Sequence, residues 1–294
     1  MASEPSLTAT NDLAVDLSNS QWYADWQHTH HAALFDARHA LSRVNLARNY
    51  EVFNDLRLLS QQLDRARSTT LLEVGCATGE FYRYLRFRQP QVHYTGVDIS
   101  RGAIDRAKAK YPKANVMAVD PNVALAGALL SSGLDARHDI LCSKDVIHHQ
   151  IDPLGLLSQF LRLASDGVVI RTRTRDVGAT VLDPELSCQY HYDGWMPYIV
   201  LNLHELLDHI RKQVPTSDIT VHRHHMVLGG REGRFLPKDC YLPATGTAET
   251  AVSVSFSTAN PGRMVIEDRV EAEPVYTTGY RAKSILRRMF GKRS

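Results

Sequence analysis

Several things are scarce in this 294-residue chain. It has only four cysteines, Cys76, Cys142, Cys188 and Cys240, and no CxxC pair, which fits neither a disulfide framework nor a zinc ribbon and points to a reducing compartment. No run approaches the ~18 apolar residues that a membrane-spanning helix needs. The opening MASEPSLTATNDLAVDL has neither the basic start nor the apolar stretch of a secretory signal. Charge of one sign is missing too: 34 Lys and Arg against 32 Asp and Glu leave a formal +2, too little for a global field that would hold nucleic acid or an anionic membrane. The expectation is a soluble, cytoplasmic protein. What is present, 44% hydrophobic and 22% charged residues, suits a globular core of one large or two modest domains and excludes disorder, collagen and coiled coil.

Residues 1–20 are polar and without period, and read as a flexible terminus. Between Phe35 and Leu63, the residues Leu41, Val44, Ala47, Tyr50, Phe53 and Leu56 recur at steps of three, so 21–66 reads as a helical cap. From Thr69 short apolar runs (TLLEV, VHYTGV, NVMAV, DILCS, GVVIR) alternate with helical stretches (GEFYRYLRFR, SRGAIDRAKAK, PNVALAGALLSS, DPLGLLSQFLRLA). Such alternation implies right-handed crossovers and an α/β fold with a doubly wound, mostly parallel sheet. After Arg175 the regularity lapses into an insertion, 176–201, in which Tyr190, His191, Tyr192, Trp195 and Tyr198 cluster. A helix, LHELLDHIRKQ, and two strands, ITVHRHHMVL and AVSVSFS, then complete the sheet beside the fifth strand, at least one of them antiparallel. The main domain is expected to span 67–280.

The most informative segment is LLEVGCATGEF. A strand ends in Glu73, Gly75 and Gly79 follow, and a helix begins, which sets backbone and helix N-terminus against a ligand at the carboxyl edge of the sheet. A dinucleotide loop fails here because Ala77 and Glu80 stand where its second and third glycines belong, and a P-loop fails because no Lys-Ser or Lys-Thr follows Gly79. The next strand ends in Asp98, suited to accept hydrogen bonds from ribose hydroxyls, and the third ends in Asp120, which could meet an adenine amino group. Asp98 could equally cap the helix that begins near Ser100, and Asp120-Pro121 could simply be a helix entry.

With these residues the segment from about Thr69 to Thr174 resembles class I S-adenosylmethionine-dependent methyltransferases. The family's acidic-x-Gly-x-x-x-Gly loop stands here as Glu73, Gly75 and Gly79, with Ala77 in place of a common middle glycine. The resemblance implies a Rossmann-like sheet of seven strands and S-adenosyl-L-methionine as cofactor. It implies that Glu73, Gly75, Cys76, Ala77 and Gly79 face the methionine part, Asp98 the ribose and Asp120 the adenine, with Ile99 also at the cofactor. The fourth strand, DILCSKDVIHH with Ser143, is similar to the family segment that approaches the methyl group. Ser165 and Asp166 stand where the family commonly has Pro and Gly before its fifth strand. The whole chain more weakly resembles bacterial methyltransferases of surface-polysaccharide or secondary-metabolite assembly.

Methyl transfer to a hydroxyl profits from a base, and His148 and His149 follow the fourth strand closely enough to supply one, or else to pack against the cofactor. The acceptor pocket is expected from segments over the carboxyl edge of the sheet: the cap, with Trp22, Tyr23 and Trp26, and the insertion, with Tyr190, His191 and Trp195 as substrate-binding candidates. Those aromatics could instead form the loop's own small core. No metal is expected, because HTHH at 28–31 and HRHH at 222–225 have no partners at zinc spacing. The basic tail, 281–294, has six cations and no acid, and its ILRRMF suits peripheral contact with the inner face of a membrane; a nucleic-acid partner is not expected. Three functions compete: methylation of a small molecule such as a sugar or metabolite at O or N, methylation of RNA or protein, and a binding module without catalysis.

Overall fold

Leu71 and Leu72, adjacent in TLLEV, are both wholly buried, which a strand achieves only when both its faces are covered. In the computed structural model this strand, β1 (Thr70–Val74), lies between β2 (His93–Asp98) and β4 (His138–Lys144) and pairs parallel with each. The structure describes Trp26 and residues 54–65, 69–191, 194–229, 233–256 and 262–269. The expected terminus 1–20, nearly all of the cap before residue 54, the histidines at 28–31 and the basic tail 281–294 lie outside the described residues.

The sheet continues through β3 (Asn115–Ala118) on one side, and through β5 (Ala164–Arg175), β11 (Ala248–Ser255) and β9 (Asp218–His225) on the other, in the order β9-β11-β5-β4-β1-β2-β3. These are the seven strands anticipated. Two more join them: the two-residue β8 (Leu201–Asn202) beside β5, and β12 (Met264–Arg269), parallel to β9 at the edge. Among the described strands of this sheet only β11 runs antiparallel to its neighbours, β5 and β9.

Alternation along β1 assigns the two helical layers. Leu71 faces α1 (Asn54–Arg65), α2 (Glu80–Arg88) and α3 (Arg101–Lys110) through Leu59, Phe81 and Ile104. Leu72 faces α4 (Leu125–Ser131), α5 (Pro153–Leu163) and α6 (Leu203–Gln213) through Leu129, Phe160 and Leu206. Helix starts follow local chemistry. Ser100 accepts from Ala103 N at the head of α3, Asp152 accepts from Gly155 N with Pro153 in the first turn of α5, and Asn202 accepts from His204 and Glu205 N at α6.

The insertion is no loose loop. It folds as a hairpin, β6 (Cys188–His191) with β7 (Gly194–Pro197), and β10 (Arg234–Phe235) adds to β6 to make a second, three-stranded sheet. Buried arginines pin the C-terminal third to the end of β5. Arg175 bonds Asp239 at 2.6 Å and the Ala179 carbonyl, and Arg223 bonds Asp176 at 2.6 Å.

Candidate active site

Where β1 turns into α2 the chain leaves a cavity of about 280 Å³ at the carboxyl edge of the sheet. Its lining includes Glu73, Gly75, Cys76, Ala77, Asp98 and Ile99, six of the cofactor candidates, and the base candidate His149, together with Trp26, Phe81, Val119, Lys144, Asp145 and Arg171.

Gly75 has φ +86°, and a Cβ there would collide with Val146 Cγ2. The loop can therefore pass under the segment after β4 only without a side chain. Gly79, with φ +78°, ends the turn and caps α2. Between them Ala77 adopts φ +46°, a left-handed conformation that L-residues resist. Its N–H donates to Asp98 Oδ2 at 2.8 Å, and this bond holds the turn. Gly75→Ala combines positive φ with overpacking, so a stability loss of ~3 kcal/mol and loss of donor binding are expected. Thermal denaturation and calorimetry will show whether both occur.

Asp98 Oδ1 accepts from Ser100 N at 2.8 Å. Burial pushes the Asp98 carboxyl upward, against the backbone N–H donors of Ser100, Ala77 and Ile99. Each oxygen retains acceptor capacity, so two ligand hydroxyls would favour its ionised form. On the other wall, Glu73 accepts from the buried Tyr94 hydroxyl. Burial, then the Glu73 charge, raises Tyr94 well above the ordinary phenol range. Burial, then the charges of Asp98 and Glu73, likewise raises Cys76, which is therefore a thiol here.

Three cofactor candidates do not line the cavity: Gly79, at the end of the turn, and Asp120 and Ser143, which lie elsewhere. Asp120 is exposed, its Oδ1 accepting from Asn122 N at 2.8 Å in a local turn, and Val119 reaches the cavity in its place. Ser143 is buried, its hydroxyl donating to the Val74 carbonyl at 2.9 Å, and so ties β4 to β1 without lining the cavity.

The two histidines separate clearly. His149 lines the cavity, its Nδ1 lies 2.7 Å from the Pro197 carbonyl, and its ring and that of Trp26 pair edge to face with centroids 5.3 Å apart. A carbonyl only accepts, so Nδ1 carries the hydrogen and Nε2 the basic lone pair. His148 is outside the lining and buried against Tyr198. Burial first, then the charges of His149, Arg173 and Arg234, push it well below the usual range. Below about pH 6.5 the unfolded chain binds a proton that the folded chain refuses at His148, so stability falls with pH there. Burial shifts His138 and His209 the same way. Chemical denaturation at about pH 7.5 and about pH 5.5 should show a smaller drop in His148→Gln than in the wild type; identical drops would exclude His148 as a contributor.

Of the substrate candidates, Tyr190 and Trp195 pair edge to face at 5.5 Å on the second sheet, each 47% exposed, and neither lines the cavity. His191 lies in β6, and its side chain is outside the described residues. The insertion reaches the site instead through Pro197 and Tyr198, whose hydroxyl accepts from Arg173 Nε at 3.1 Å. Four charged residues missed in the sequence border this region. Asp145, at φ +58°, binds Arg171 and Arg173, and Glu249 lies 3.4 and 3.3 Å from the same two guanidinium groups. Burial alone would raise Glu249, but Arg171, Arg173, Lys144 and His224 together hold it below its ordinary value. The alternating Arg171, Arg173 and Arg175 at the end of a buried strand was the legible signal. In the 222–225 run, His222 meets Glu267 at 3.1 Å and His225 meets Asp268 at 3.2 Å. Among the described residues no three His, Cys, Asp or Glu side chains gather as a metal site.

A parallel sheet with a glycine turn after its first strand and an acid at the tip of its second defines a nucleoside-binding α/β protein. The family model described as "Methyltransferase domain" matches residues 26–216, and the chain belongs to that family. No curated protein matches. Among solved structures, the plantazolicin methyltransferase BpumL, in complex with a monoazolic desmethylPZN analog and SAH, is similar at 18% identity over 81% of this chain and 93% of that one, with TM-score 0.49. The N-terminal domain of EvdMO1, in the presence of SAH and D-fucose, is 19% identical over 68% and 81%, with TM-score 0.46. Coclaurine N-methyltransferase, bound to N-methylheliamine and SAH, is 11% identical over 68% and 72%, with TM-score 0.45. The family match, not these likenesses, carries the assignment.

Proposed function

We propose that this methyltransferase delivers the methyl group of S-adenosylmethionine to an oxygen or nitrogen of a small molecule, a sugar or other metabolite. The residues fit the donor: Gly75, without a Cβ that would strike Val146, lets the turn close beside the cavity, Asp98 offers a carboxylate for ribose hydroxyls, and Glu73 one for an ammonium. When bound, the donor supplies an electrophilic methyl on a sulfonium, so the protein's task is mainly alignment of the nucleophile with it.

The observation that carries the acceptor reading is His149, on the cavity wall with Nδ1 directed at the Pro197 carbonyl. His149 Nε2 would take the proton of an attacking hydroxyl as the oxygen–carbon bond forms and the carbon–sulfur bond breaks to leave a thioether; an ammonium acceptor would lose its proton to Nε2 first and attack as the neutral amine. Trp26 supplies an aromatic ring beside it, and Lys144, Asp145, Gln150 and Arg171 supply hydrogen-bonding groups. The test is incubation with methyl-labelled S-adenosylmethionine and fractionated extract. Label in the small-molecule pool, lost in His149→Ala, is expected; label confined to RNA, protein or lipid would overturn the acceptor class, and binding without any transfer would leave a non-catalytic module.

A further inference from the structure

Glu73 is a poor residue to bury at the centre of a sheet. It is 7% exposed on β1, on the same face as Leu71, within a layer that includes Phe81, Ile104, Ile140 and Cys142. A carboxylate in such surroundings needs a donor, or it takes up a proton and loses the charge that a ligand cation would meet. The next strand supplies the donor. Tyr94 of β2, itself 7% exposed, points its hydroxyl at Glu73 Oε2. Its ring is fixed by Phe81 at 6.4 Å and Tyr82 at 5.4 Å between centroids.

Gly96, two residues along the same face of β2, makes this possible. A Cβ at Gly96 would collide with the Tyr94 hydroxyl and approach Cys76 Cβ to 2.9 Å. Its φ is not positive, so no backbone strain explains the glycine. The space it leaves holds the phenol under the Gly75–Cys76 turn.

We infer that Tyr94 is a positioning residue for the donor: its hydrogen bond fixes the Glu73 carboxyl group at the cavity wall, oriented toward the methionyl ammonium, and Gly96 reserves the space for that phenol. The inference rests on the donor assignment of the cavity and adds a residue that does not itself line it. Removing the phenol should therefore act on the amino-acid end of the ligand alone.

The test compares two probes by calorimetry. S-Adenosylhomocysteine carries the ammonium, and 5′-methylthioadenosine retains the nucleoside and thioether but has no ammonium. Tyr94→Phe keeps the ring and its packing, and is expected to weaken S-adenosylhomocysteine about tenfold, as for loss of one charge-assisted hydrogen bond, while leaving methylthioadenosine within about twofold. Gly96→Ala should show the same selectivity. Equal weakening of both probes, or none, in Tyr94→Phe would overturn the inference and leave Tyr94 a packing residue. Failure of the wild type to bind either probe would overturn the donor assignment itself.

Discussion

His149→Ala is expected to lower turnover on a hydroxyl or protonated-amine acceptor by about a hundredfold to a thousandfold, with donor affinity unchanged within about twofold. The reason lies in which nitrogen is basic. The Pro197 carbonyl takes the Nδ1 hydrogen, so the lone pair is on Nε2, and the ring borders the cavity beside Trp26. His148 shares the sequence signal but not the position. It is 1% exposed and does not border the cavity. Replacing it should therefore cost stability, and its pH dependence, more than turnover per folded molecule. The kinetic contrast between the two alanine variants, measured at equal folded concentration, is the decisive readout. Added imidazole should partly restore His149→Ala by occupying the space left. Wild-type turnover in His149→Ala would exclude it as the base.

The strands from β1 to β5 could be read from the sequence because both faces of a parallel sheet are covered, so each appears as a continuous apolar run. Gly75, Gly79 and Asp98 were legible for a related reason, since the turn geometry demands those residue types at fixed offsets from a strand end. Asp120 has the same sequence appearance as Asp98, yet its carboxylate bonds Asn122 N and faces solvent; a local turn next to Pro121 decided its direction, and no periodicity encodes that. Ala77 stands where a glycine is common, and its positive φ is held by the bond to Asp98 of another strand, which the local sequence does not show. The aromatic insertion was harder still. Tyr190 and Tyr198 are equally conspicuous in one segment, and which of them turns inward depends on the hairpin and on long-range partners. Tyr190 faces Trp195 across β6 and β7, while Tyr198 meets Arg173 of β5 and stacks under Arg234, 4.3 Å from its ring centre. Such pairings exist only in the assembled fold.

Asp98→Ala is expected to weaken both S-adenosylmethionine and 5′-methylthioadenosine by at least about a hundredfold, since two ribose hydroxyls bonded to a charged acceptor contribute ~1.5–3 kcal/mol each. The same carboxylate also closes the glycine turn. Oδ2 accepts from Ala77 N and Oδ1 from Ser100 N, each at 2.8 Å. Asp98→Asn is therefore not a mild change at this position. An amide has one oxygen and one NH2, so whichever way it is turned a donor faces a backbone N–H, and either the Ala77 turn or the start of α3 loses its partner. The asparagine variant should consequently bind little better than the alanine variant. Its thermal midpoint should also fall, because Ala77 would remain left-handed without the bond that holds it there. Near-normal binding by Asp98→Asn would mean that ribose recognition lies elsewhere. The two ends of the cavity should also separate in these variants: loss of Asp98 removes affinity for any ligand with the ribose, whereas loss of the Tyr94 hydroxyl removes it only for ligands with the ammonium.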